Sequence, residues 1–309
     1  MNANTVVTLA YVASHGYNLL FPVDINQVPE GDLSPNDTSP GTNKRPYPLF
    51  QGINSGTGAG GNNNGVSNYN SLQATVEQRL SNGLQFRANY VWSHMLDTID
   101  SSGWGGSSGN DYYQRAYSPS ANYGASNFDV RNSFKTAVIY DLPLGKGRQF
   151  VNHNAFLDAL VGGWQVAPTI VWTSGSPYNV IMSTDNSFSG AGNNQQFPSQ
   201  IGSPIPAHQD LQHWFNTASF VQPTPATFGN TQRNNLYGPQ FLLFNAALGK
   251  TFLLPWEHMG IEIRASANNV INHPSFSPPN ATINGGTEGQ INSLTVNGRT
   301  MQLYGRIFF

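Results

Sequence analysis

Seven histidines are the first place to look for chemistry in these 309 residues, and their spacing does not gather them. His208 and His213 lie five apart, which would put them on different faces of a helix. There is no His-Glu-x-x-His and no facing carboxylate cluster, so no metal centre is expected. Gly56, Gly58 and Gly61 loosely resemble a nucleotide-binding glycine loop. The run neither follows a strand nor opens a helix, as that motif requires, and reads as a linker. No Gly-x-Ser-x-Gly occurs, and no Ser, His and Asp set is suggested by spacing. Neither a cofactor nor enzymatic activity is expected. Two groups of side chains stay interesting. Glu77, Arg79, Arg87, Arg131, Lys135, Glu262, Arg264 and Arg306 recur at alternate positions of strand-like segments. Trp104, Tyr112, Tyr113, Tyr117 and Tyr123 crowd one loop, where exposed aromatic rings suit sugar or peptide capture. Packing of loops at a rim would use the same rings.

The elements that must position these residues are β-strands. Alternation of apolar and polar residues recurs in segments of about ten, a length that suits a membrane-spanning strand. Eight strands are expected at 5–14, 69–80, 84–96, 129–142, 163–174, 240–253, 260–270 and 299–309. In the second, Leu72, Ala74, Val76 and Leu80 share one face and Gln73, Thr75, Glu77 and Arg79 the other. Ser81-Asn82-Gly83 is a tight hairpin turn. Beyond it Phe86, Ala88, Tyr90 and Trp92 continue the apolar face, while Arg87 and Asn89 continue the polar one. The inward polar residues show no obvious charge matching, which suits a wide lumen. Short helices are expected at 153–160 and 208–215.

Composition decides which way the faces point. Only 10% of residues are Asp, Glu, Lys or Arg, against roughly 25% in an ordinary soluble domain. No run of 18 apolar residues exists, which excludes a membrane helix and leaves barrel strands open. The net charge of −2 gives no basic patch for nucleic acid. Connections alternate between long (15–68, 97–128, 175–239, 271–298) and shorter (81–83, 143–162, 254–259), as in outer-membrane barrels with short periplasmic turns. Phe86, Trp92, Trp164, Trp172, Phe252 and Trp256 fall near strand ends, the pattern of two interfacial girdles. The fold class expected is therefore all-β, an antiparallel transmembrane barrel segment whose apolar face meets outer-membrane lipid. The last strand would end in the periplasm on Phe309. Met1-Asn2-Ala3-Asn4-Thr5 carries no charged leader or cleavage site, so an upstream portion of the polypeptide is expected.

An ordered set of segments then resembles a known family. Tyr11-Val12-Ala13-Ser14-His15-Gly16 ends the first strand. Arg87-Ala88-Asn89-Tyr90-Val91-Trp92-Ser93, Phe128-Asp129-Val130-Arg131 and Tyr140-Asp141-Leu142-Pro143-Leu144-Gly145 follow. Gly162-Gly163-Trp164-Gln165, Trp214-Phe215-Asn216 and Asn268-Asn269-Val270-Ile271-Asn272-His273-Pro274 complete the order. The chain resembles the C-terminal barrel of Oar-like TonB-dependent transporters, with Asn132 where that family has His. The resemblance implies a transporter whose plug and N-terminal carboxypeptidase-regulatory-like domain lie outside this sequence. Loops would capture substrate, and the TonB complex would engage only through the plug. Barrel assembly machinery would read Phe309 as an insertion signal. Two alternatives remain: an autonomous eight-stranded barrel with a structural or adhesive role, and a secreted glycan-binding β-protein with its faces reversed.

Overall fold

The computed structural model describes residues 4–21, 24–36, 44–50, 62–98, 100, 114–145, 148–150, 158, 160–184, 186–189, 196–253 and 259–309. Eight long strands form one antiparallel sheet: β1 (Thr5–Phe21), β2 (Asn62–Ser81), β3 (Leu84–Asp97), β4 (Asn132–Asp141), β5 (Trp164–Thr173), β6 (Phe241–Leu253), β7 (Gly260–Asn268) and β8 (Thr300–Phe308). Each pairs with its neighbours in chain order. The sheet is open, with β1 and β8 as its two edges. All eight expected strands are present, with shifted ends. β1 and β2 stay paired well past residue 14 and before residue 69, through a register irregularity near Gly16. The fourth strand starts at Asn132 rather than 129, because the Asp129 side chain accepts the Met95 N–H at 2.8 Å. β7 stops at Asn268, where Asn269 turns to φ 51°.

Register carries the alternation across the sheet. Leu9, Ala74, Tyr90, Phe134, Trp172 and Leu242 lie in one row of directly opposed residues. Thr8, Thr75, Asn89 and Lys135 form the adjacent row on the other face. At the first hairpin Asn82 and Gly83 both have positive φ, 51° and 79°. That left-handed pair matches the twist of the strands it joins. Lys250 departs from its apolar neighbours Leu248 and Phe252. Its ammonium lies 4.8 Å from the Phe252 ring centroid and 5.8 Å from that of Trp164, and its stem is buried against them.

Gly260 shows why one small residue is needed beside the last strand. It is opposed to Phe308, and a Cβ at Gly260 would stand 2.3 Å from the tip of the Phe308 ring. The ring therefore lies over the glycine and covers backbone that a side chain would otherwise shield. Phe309, one residue on, projects free.

Apolar burial is concentrated outside the sheet. Among the described residues, Ala247 and Ala267 are the buried apolar side chains of the eight long strands. Tyr178, Val180, Phe215, Phe220 and Ile283 instead form a core in the long connections, with Trp214, Leu236 and Ala281 packed on it. Phe215 and Phe220 meet edge to face at 5.6 Å between centroids, a favoured aromatic arrangement. Ile181–Met182 pairs in parallel with Thr282–Ile283, which ties the 174–240 and 269–299 connections into one cap. The expected helix at 208–215 is absent. Asp210 accepts the N–H groups of Gln212 and His213 at 2.8 and 2.7 Å, so the segment turns on a side chain instead of on helical carbonyls. Those two N–H groups also hold the Asp210 carboxyl below its usual range. Most of the expected helix at 153–160 lies outside the described residues.

Two outcomes follow. Phe215→Ala should cost the cap about 3–5 kcal/mol. Hydrogen exchange would show it as lost protection at 178–182 and 281–283 with the eight-strand ladder unchanged. Gly260→Val should displace Phe308 and reduce the heat-modifiable, folded fraction recovered in membranes. Gly260→Ala should do so less.

Candidate functional site

Register sets two pairs of opposite strand charges on facing positions. Glu77 lies directly opposite Arg87, and Glu262 directly opposite Arg306. Among the described residues neither pair closes to ion-pair distance, so register sets opposite charges face to face without joining them, and that facing depends on two strands, which spacing within one does not reveal. Arg264 is opposite Tyr304, whose hydroxyl reaches Glu262 at 3.5 Å. Lys135 is opposite Asn89 and Val171. Arg79 lies near the first hairpin and donates its N–H to the Asn4 carbonyl at 2.9 Å. Near the short turns a polar cleft of about 230 Å³ is lined by Asp141, Arg148, Gln165, Thr251, Glu262 and Arg264, among others. Arg148 approaches Asp141 at 3.7 Å, and the Gln165 amide donates to the same carboxylate at 2.9 Å. Carboxylate, guanidinium and amide thus alternate along this wall, so it offers paired polar contacts and no concentrated field of one sign.

The loop aromatics divide. Trp104, Tyr112 and Tyr113 lie outside the described residues. Tyr117 keeps an exposed ring, but its hydroxyl donates to the carbonyls of Ile25 and Gln27 at 3.1 and 2.7 Å. Tyr123 is exposed, and its N–H closes a turn on the Ser120 carbonyl. Around Tyr117 the first connection is fixed by buried amides. The Asn26 amide donates to the Tyr47 and Phe50 carbonyls. That of Gln27 donates to the Gln114 carbonyl at 2.7 Å. Ile25, Tyr47, Leu49, Phe50 and Tyr117 therefore present apolar surface on a rigid platform.

Sequence spacing missed the residues that hold the connections together. Asp129, only 1% exposed, accepts from four directions. The Met95 N–H and His94 Nδ1 reach one oxygen, at 2.8 and 3.1 Å. The Tyr237 hydroxyl and Arg131 Nε reach the other, at 2.8 and 3.1 Å. Arg131, expected on the strand wall, precedes β4 and serves this hub. Burial raises the Tyr237 hydroxyl's pKa. A second centre is Arg233, buried to 2% exposure. Its guanidinium donates to the Asp97 carboxylate at 2.7 Å and the Asp97 carbonyl at 2.9 Å, and it also contacts the Asp100 carboxylate. Gly124 lets this segment approach: a Cβ there would stand 2.7 Å from the Arg233 carbonyl oxygen. The available signal was scarcity. With so few charged residues, an Arg in a polar loop and an Asp at a strand end need partners.

His94 forms one side of the Asp129 hub, while His213 sits beside Asp210 on the cap surface at 3.2 Å. Asn269 closes the turn after β7: its carboxamide accepts the His273 N–H and donates to the His273 carbonyl. His273 takes part in that turn through its backbone. Asn132 accepts the Tyr90 hydroxyl at 2.7 Å.

Asp129→Ala should be severe, because it strips a buried acceptor from three side-chain donors, at a cost of about 3–5 kcal/mol. Tyr237→Phe removes one charge-assisted bond and should cost about 1.5–3 kcal/mol. Denaturant-dependent exchange of the Met95 and Tyr237 amides would rank the two variants.

A protein-family model described as outer membrane beta barrel domain matches residues 1–302. Among curated proteins none matches. Among solved structures, the outer membrane transporter YddB from Escherichia coli is similar at 11% identity and a TM-score of 0.46. That similarity covers 100% of this chain and 31% of the YddB chain, so the present chain spans about a third of its length.

Proposed function

The chain belongs to the outer membrane beta barrel domain family and resides in the outer membrane, and we propose that it forms the C-terminal wall and extracellular cap of a TonB-dependent uptake receptor. The observation that carries this reading is the open sheet. Eight strands in chain order leave both β1 and β8 as edges, and in hydrocarbon an unpaired strand edge leaves N–H and C=O groups unsatisfied. More strands from the same polypeptide would close the wall. The polar face, with Glu77, Arg79, Arg87, Lys135, Glu262, Arg264 and Arg306, then lines a hydrated lumen wide enough for a plug. The apolar face, with Leu9, Leu72, Leu303 and Ile307 exposed, meets lipid. Phe309 lies on the side of the short turns, within reach of assembly machinery. The connection after β3, with Tyr117 and Tyr123 exposed and Trp104, Tyr112 and Tyr113 in the same stretch of sequence, is with the cap the surface offered to a nutrient. Capture there would precede passage through a lumen opened by an energised plug, which the TonB complex would act on.

Cysteines at positions 9 and 303 test the reading. In the open sheet these positions sit on opposite edges, and no disulfide should form. Efficient cross-linking would instead reveal a closed eight-stranded barrel. Expression with an export signal followed by fractionation is the second test. Recovery as a soluble monomer without detergent would overturn both membrane readings.

A further inference from the structure

We propose that Asp97, Asp100 and Arg233 form a proton-sensitive latch that holds the extracellular cap down on the wall at β3. The geometry is a charge imbalance sealed inside the protein. Arg233 comes from the 174–240 connection, Asp97 ends β3, and Asp100 follows three residues later. All three side chains are 2% exposed or less. One guanidinium therefore serves two carboxylates. Among the described residues the other groups on the two carboxylates are uncharged: Ser126 donates its hydroxyl and Asn127 its N–H to Asp100. On the same stretch of chain Asp129, Arg131 and His94 are engaged with one another and with Tyr237. With both carboxylates ionised the buried cluster carries one uncompensated negative charge, an arrangement that costs free energy in a low-dielectric site. A single proton on Asp97 removes that charge and leaves the Arg233–Asp100 pair neutral.

The latch lies outside the bilayer. At about 3.3 Å per residue and a tilt near 45°, the ten or so residues that cross from the Asn82-Gly83 turn end near Ser93. Asp97 stands beyond them. What it holds is substantial. Asn234, next to Arg233, donates its side-chain amide to the Ala125 carbonyl and its backbone N–H to the Asn179 side-chain oxygen. Leu236–Tyr237 pairs with Pro177–Tyr178, and Leu236 packs on the cap core. Freeing Arg233 thus loosens the strand that runs from the latch into that core.

The direction with pH follows from linkage. Burial pushes the Asp97 carboxyl up to about 6, against the pull of Arg233. In the open cap the same group is solvated and returns to its ordinary value of 3.8. Between those values the latched state holds a proton that the open state has lost. Acidification therefore favours the latched state, and the gain disappears as pH rises through about 6.

The test is hydrogen exchange of the detergent-folded full chain from pH 8 to pH 5, read at residues 229–240 and corrected for intrinsic exchange rates. Protection there should rise roughly tenfold between pH 7 and pH 5, with the β5–β6 ladder unchanged. Asp97→Asn should be protected at every pH and lose the pH dependence. Arg233→Met should be unprotected at every pH, provided its heat-modifiability shows a folded wall. A wild-type profile that is flat, or that falls on acidification, would overturn the proposal, as would a pH dependence that survives in Asp97→Asn. The wild-type series alone is decisive if either variant fails to assemble.

Discussion

A strand in hydrocarbon can satisfy its N–H and C=O groups only against another strand, and the rest of this structure depends on that constraint. It sets the antiparallel ladder, and the ladder sets register. Register in turn decides that Glu77 faces Arg87, that Glu262 faces Arg306 and that Phe308 lies over Gly260. A slip of one residue would turn each polar side chain toward lipid and each apolar one toward water. The same constraint leaves β1 and β8 as demanding edges, which is the physical support for reading the sheet as part of a larger wall.

The apolar face of a membrane sheet is covered by lipid, so it needs no protein core behind it. The connections stand in water and do need one. This explains why Tyr178, Val180, Phe215, Phe220 and Ile283 are buried while Leu303 and Ile307 are exposed. The chain contains two solutions to apolar burial, one that uses the bilayer and one that uses aromatic packing. The cap can therefore be ordered without help from the strands beneath it, apart from the places where it is tied down.

Those ties are charged. Asp129 and Arg233 sit in buried polar clusters that join segments far apart in sequence. Buried ion pairs contribute little net stability, because desolvation offsets most of their attraction. They penalise wrong partners strongly, since a misplaced Arg233 or Asp129 would be a bare buried charge. Their contribution here is to specify where the cap docks, and the two-to-one ratio of carboxylate to guanidinium makes one of them responsive to protons.

The sequence by itself determined the sheet. Alternation in segments such as 69–80 and 84–96, the Asn82-Gly83 turn, the scarcity of charge and the unequal connections are all local or compositional, and they were enough to find eight strands and the membrane class. Strand ends were less legible, because Asp129 and Asn269 stop strands with side-chain bonds that spacing does not announce. The 208–215 segment misled for the same reason, as Asp210 supplies the acceptor that a helix would have drawn from its backbone. Only the tertiary structure decided the cap core and the latch. Each of these joins residues separated by tens to more than a hundred positions, such as Asp97 and Arg233. A one-dimensional pattern carries the period of a strand, but not the partner that folding brings beside it.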